Sequence, residues 1–128
     1  MDTLFFVGRA MYAFIFLMSG VGHISQLEQM AQYPKAKRVP APKLATASSG
    51  VLLVLGGLSV LLGVYTTLGL SLLVVFLVPA TLIMHNFWAV KNPMERQMEM
   101  VNFLKNLALL GAALTLFAVQ RWPLSLSG

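Results

Sequence analysis

Four long apolar runs follow one another along the chain: Leu4–Gly22, Leu44–Val64, Thr67–Trp88 and Val101–Val119. Each has about the 20 residues that a helix needs to cross a hydrocarbon core of about 30 Å. None alternates apolar and polar positions as a barrel strand does, and in lipid a helix satisfies its own backbone. The pattern predicts an all-α polytopic membrane protein, a single domain over residues 1–128 folded as an antiparallel bundle of four transmembrane helices. Arg9 alone interrupts the first run, and Lys105 is the charge of the fourth. Asp2, not a basic segment, precedes the first run, which therefore reads as a retained helix and not a cleaved signal.

The connections are informative. Residues 23–43 hold Glu28, Lys35, Lys37, Arg38 and Lys43 together with Pro34, Pro40 and Pro42. Leu27, Met30 and Tyr33 stand at helical spacing, which predicts a short interfacial helix over Ser25–Tyr33. The prolines after it predict extended chain, since each also restricts the residue before it. Tyr65–Thr66 alone joins the second and third runs, which makes them an antiparallel hairpin. In the connection 89–100, Asn92-Pro93 reads as a turn and Met94–Met100 as the lead-in to the fourth helix. Pro79, inside the third run, lacks a donor and predicts a kink. That kink is either one a membrane helix tolerates or a device that shapes a pocket below His85. The small residues Ala45 and Ser49, Ala108 and Ala112, Gly111 and Thr115, and the pair Gly56-Gly57 offer close helix contacts. These are expected as seams within the chain, with a homodimer contact as the alternative.

Composition sharpens this. Hydrophobic residues make up 58% of the chain and charged ones 10%, against about 25% charged in soluble domains. So small a fold cannot hide that much apolar surface from water, and the lipid bilayer is its first partner. The formal charge of +5 points away from nucleic acid because the bases follow topology: Lys35, Lys37, Arg38, Lys43, Lys91 and Arg96 share one side. Arg121, and Arg9 if it snorkels, belong to the other. The excess predicts that loops 23–43 and 89–100 are cytoplasmic and both termini outside. There is no cysteine, which excludes disulfides, thiolate metal sites and thiol nucleophiles. Any redox role then needs a bound cofactor or a partner. No Gly-rich phosphate loop or Ser-His-Asp arrangement appears.

The polar chemistry gathers at that same side. His23 ends the first helix, and His85, Asn86 and Trp88 end the third. Asn102, Lys105 and Asn106 begin the fourth, three or four residues apart on one face, with Glu99 one turn before. If that face points inward, a polar pocket forms near the inner leaflet with Trp88 as its wall. A quinone headgroup asks for donors to its carbonyl oxygens and a flat apolar surface; Lys105, His85 and Asn106 supply the first and Trp88 the second. The bland alternative is a snorkelling lysine and amides that bond across helices. A metal site from His23, His85 and Glu28 lacks recognisable ligand spacing, and no metal is expected. Arg9, the other intramembrane charge, either snorkels or turns inward to a carbonyl or a lipid phosphate.

The segments GRAMYAFIFLMSGVGHI in the first helix, LGGLSVLLGVYT in the second, HNFW at the end of the third and NFLKNLALLGAAL in the fourth resemble the DoxX family of small four-helix membrane proteins. Arg9, His85, Trp88, Lys105 and Asn106 match its pattern. The chain departs from it at His23, where members often have Lys, at Leu53, where they often have Glu, and at Thr67, where they often have Arg. The resemblance implies a bacterial inner membrane and an accessory subunit of a quinone-linked oxidoreductase, as in the thiosulfate:quinone oxidoreductase complex that gave the family its name. On that expectation there is no intrinsic cofactor, a quinone is the ligand and a redox subunit is the partner. The alternative, favoured by the missing carboxylate at Leu53, is a non-enzymatic bundle serving as a structural partner or carrying a small solute or lipid.

Overall fold

A computed structural model describes residues 1–119 and 121–126. The chain forms α1 (Asp2–Ser25), two short helices α2 (Leu27–Met30) and α3 (Gln32–Ala36), α4 (Pro42–Leu62), α5 (Thr66–Pro79) and α6 (Pro93–Phe117). A π-helical turn over Ala80–Met84 and a 3-10 turn over Phe87–Ala89 lie between α5 and α6. The segments Asp2–Ser25, Pro42–Leu62, Thr66–Ala89 and Pro93–Phe117 are long and apolar enough to span a bilayer. The protein is an all-α multi-pass membrane bundle. Connections 26–41 and 85–92 lie at one end, the loop end. The first residues and residues 121–126 lie at the other, where Asp2 faces Arg121 at 3.4 Å.

Lipid gives helices little hydrophobic reason to associate, so close packing must hold them. Gly20 of α1 and Gly50 of α4 meet backbone to backbone: a Cβ at Gly20 would lie 2.9 Å from Gly50 O, and one at Gly50 would lie 3.1 Å from Gly20 O. Gly56 and Gly57 are neighbours in sequence and so about 100° apart around the helix. Gly56 admits Leu73 of α5 and Gly57 admits Leu17 of α1, so the pair lets α4 touch both neighbours closely. The core between these helices is Ala13, Phe16, Leu53, Val60, Leu70, Leu73, Leu77 and Ala113. The order of packing is α1 on α4, α4 on α5 and α5 on α6.

Several expectations need correction. The fourth helix starts earlier, at Pro93. Asn92 caps it, its Oδ1 accepting from the backbone N–H groups of Met94 and Glu95, and proline suits the first helical position because its missing N–H would be unsatisfied there anyway. The chain after Tyr33 is not extended. Pro34 sits in the first turn of α3, where no N–H is required, and the direction changes come from left-handed Arg38 (φ 62°) and Ala41 (φ 47°). The third span is α-helical only to Pro79. The face of Ala108, Gly111 and Thr115 is exposed, and a Cβ on Gly111 would meet nothing within 4 Å, so it is no seam within the chain.

Arg9 resolves to the inward choice. It is 2% exposed. Its Nη1 donates to Pro123 O and its Nη2 to Leu124 O at 2.8 Å, and the rings of Phe5, Phe6 and Trp122 surround it at 5.0–5.7 Å. Carbonyl dipoles and ring faces thus replace a counter-ion. They hold residues 121–126 as a strap across the terminal end, where Leu126 N–H also bonds Leu62 O at 2.9 Å. Gly63, at φ 70° just after α4, has no room for a Cβ, since Ser125 Oγ would lie 2.1 Å from it.

Candidate ligand-binding cavity

A cavity of about 340 Å³ opens inside the loop-end half of the bundle. Pro79 shapes it. Proline cannot donate to the carbonyl four residues back, and the helix responds by widening into the π turn 80–84. Thr81 Oγ1 donates to Leu77 O, one turn back, at 2.5 Å. Pro79, Ala80, Ile83 and Met84 then line the cavity wall, and the chain leaves the helix at His85 (φ −116°, ψ 45°).

The polar groups reach the cavity from different helices. His23, on α1, bonds Ser19 O at 2.6 Å through Nδ1. A carbonyl only accepts, so Nδ1 carries the proton and the neutral ring keeps its lone pair on Nε2. The ring lies edge-on to Phe76, 6.1 Å away. Lys105 and Asn106 enter from α6, about 18 Å along the axis from Pro93 at 1.5 Å per residue. Asn106 is only 5% exposed, lines the cavity, to which its polar atoms keep access, and makes no side-chain hydrogen bond among the described residues. A carboxamide buried this deeply normally finds a partner.

The roof of the cavity is a polar joint. Tyr33, from α3, donates its hydroxyl to Glu99 Oε2 at 2.6 Å and lies 2.8 Å from Met84 O. His85 Nδ1 stands 3.5 Å from the same hydroxyl and 3.6 Å from Glu99 Oε1. Lys37 Nζ lies 3.6 Å from Glu99 Oε2 and donates to Asn86 Oδ1 at 2.8 Å. One carboxylate on α6 thus gathers the loop, the end of the third span and its own helix. Although Tyr33 is 40% exposed, its hydroxyl is turned into this joint. Burial first, and then the bond to Glu99 and its negative charge, push the phenol above its ordinary range.

That shift predicts a pH dependence. A raised folded pKa favours the protonated phenol, so the joint contributes fully below pH of about 10, the ordinary tyrosine value, and is lost as pH rises through the higher folded value. Tyr33→Phe should remove about 1.5–3 kcal/mol of local stability, the range for a hydrogen bond to a charged group. Protection of the amides of residues 26–41, with the intrinsic base-catalysed exchange rate divided out, should be lower in the variant and level across pH 9–11, whereas in the parent it should fall only at the top of that range. Equal exchange in the two proteins would show that the joint does not hold the roof.

The sequence-predicted residues therefore divide. His23, His85, Lys105 and Asn106 line the cavity. Asn86 stands in the roof as the acceptor for Lys37, and Asn102 lies beside Glu99. Trp88 is not the wall expected of it: it is 53% exposed and packs edge-on with Phe87 and Phe103 at 5.4–5.6 Å. Once the helix ends at Met84, the register that would have turned Trp88 inward is lost, and Phe16 and Phe76 provide the aromatic lining instead. Glu28 pairs with Lys43, away from both histidines. In the sequence, Tyr33 is only an aromatic at helical spacing and Lys37 only a topology charge. Their signal as site residues was no more than their place in a loop facing Glu99.

Residues 4–86 match the model of the DoxX family. The chain belongs to the DoxX family. The match runs from α1 through the π turn and includes His23 and His85. Lys105 and Asn106, on α6, lie beyond it, so this DoxX protein's cavity joins two histidines from the matched part to an amine and an amide from the rest. Comparisons with curated proteins and with solved structures return no match.

Proposed function

We propose that this DoxX protein is a quinone-interacting accessory subunit of a redox complex in the bacterial inner membrane. Loops 23–43 and 89–100 face the cytoplasm and the termini lie outside. The observation that carries the reading is Asn106, a buried amide that faces the cavity beside Lys105, both without a hydrogen-bond or ion-pair partner among the described residues. The volume falls in the range of about 300–1,000 Å³ typical of small-molecule sites, and an apolar lining with a few placed polar groups is their usual composition.

A bound quinone supplies two carbonyl acceptors and reversible two-electron chemistry. The chain's part is recognition. Asn106 Nδ2 and Lys105 Nζ are donors for carbonyl oxygen, His85 is a further polar contact at the roof, and the Phe16 and Phe76 rings offer apolar surface. Sidedness rests on the six bases at the loop end. The alternative of carrying a small water-soluble solute across the membrane is disfavoured by closure at both ends: the Tyr33–Glu99–Lys37 joint roofs one, and the strap held by Arg9 covers the other.

The test is direct. Protein purified in native lipid should carry quinone, and added quinone at about a hundredfold excess over its Kd should stabilise it by about 2.7 kcal/mol. Lys105→Ala should lose both effects. A preparation without quinone, whose unfolding does not respond to added quinone, would refute the reading.

A further inference from the structure

The bundle is a ring with one open side. α1 packs on α4 and α6 packs on α5, but among the described residues α1 and α6 approach each other more loosely than the other neighbours do. A side chain spans the space between them: Tyr12 Oη donates to Leu109 O at 2.7 Å. The cavity lies behind this side and is lined from both lips, by Ser19 and His23 of α1 and by Lys105, Asn106 and Leu109 of α6.

Lys105 is the telling residue. It lines the cavity and is also exposed, whereas its neighbour Asn106 is buried. A side chain that belongs to both the interior and the outer surface marks an opening. The Tyr12–Leu109 bridge lies about one helical turn farther from the loop end and forms the lower sill. Above, the roof is closed by Tyr33 and Lys37 on Glu99. The remaining gap looks sideways, where a spanning bundle meets acyl chains.

We propose that the loop-end half of the α1–α6 side is a lateral portal for a membrane-borne amphiphile with a carbonyl head and a prenyl or acyl chain. The head passes Lys105 to reach Asn106, and the chain stays among the lipids. The lysine's long apolar stem lets it line the opening while its amine reaches toward polar headgroups. The head's identity rests on the quinone reading; the route does not.

The absence of native cysteine allows a single-thiol test. Ser49→Cys places one thiol on the α4 wall of the cavity. Full-length protein in liposomes is treated either with a long-chain N-alkylmaleimide dissolved in the bilayer or with a charged methanethiosulfonate supplied to the water on both sides. The portal predicts modification by the lipid-borne reagent at least tenfold faster, relative to each reagent's rate on the unfolded protein. Adding Ser19→Phe, which fills the α1 lip, should cut that rate about tenfold. Faster modification by the charged reagent would mean that the cavity opens to loop-side water, and no modification by either would mean that it is sealed; both overturn the proposal. Fast lipid-borne labelling in a protein that binds no quinone would sink the quinone reading and leave the portal standing.

Discussion

Gly20→Leu is expected to cost the bundle about 3 kcal/mol, the upper end for overpacking a tight contact. A Cβ at this position would stand 2.7 Å from Val54 Cγ2, 2.9 Å from Gly50 O and 3.0 Å from Val54 N. Two of these three atoms are backbone and cannot rotate away, so relief requires α1 to move off α4. That movement reaches the site, because a Cβ on the facing Gly50 would already lie 3.0 Å from His23 Cβ, so the same crossing positions the histidine. Unfolding in mixed micelles should show the loss, and the variant should also lose ligand stabilisation. Gly111→Leu is the control. With nothing within 4 Å of its Cβ, it should not destabilise the bundle, and loss of a helix-interior glycine should stabilise it by up to about 1 kcal/mol. Similar losses in both variants would mean that α1 and α4 do not meet at Gly20.

The two glycines also show how far the sequence could be read. Hydropathy located four spans, because a bilayer imposes a length and a composition on anything that crosses it. It could not say which small residues form seams: Gly20, Gly56 and Gly57 do, and Gly111 does not, although all stand in apolar runs. That difference depends on rotation about the helix axis, which near-uniform apolarity leaves unspecified. Pro79 announced a disturbance in the third span but not its form. The π turn shifts the register of residues 85–89, so Trp88 turns outward and His85 remains at the cavity. The shared face of Asn102, Lys105 and Asn106 was legible from spacing alone. Tyr33 and Lys37 were not, because their roles depend on a loop fold set by left-handed Arg38 and Ala41, residue types that do not advertise that conformation. The strap on Arg9 was likewise hidden, since a cation near a helix end reads equally well as snorkelling.

Asn106→Leu should move stability and binding in opposite directions. The carboxamide makes no hydrogen bond within the protein among the described residues and its polar atoms keep access to the cavity, so replacing it forfeits no intramolecular bond. Leucine is of similar length and the cavity has room for it, so the substitution should raise the unfolding midpoint of the ligand-free protein. Binding should suffer. If the amide donates to a carbonyl oxygen of the ligand, its loss removes that hydrogen bond and weakens affinity about tenfold to a hundredfold, at about 1.4 kcal/mol per tenfold. Lys105→Ala adjoins it on the helix, and the two losses should not simply add, because both groups serve one small head. A purely structural Asn106 would behave otherwise: its replacement would lower the midpoint of the empty protein and leave the quinone-induced shift intact. Thermal unfolding with and without quinone, run on the parent, each single variant and the double, separates the two cases. Residues kept for binding at the expense of stability are the usual mark of a functional site, and a stabilised but binding-deficient Asn106→Leu would put that mark on this cavity.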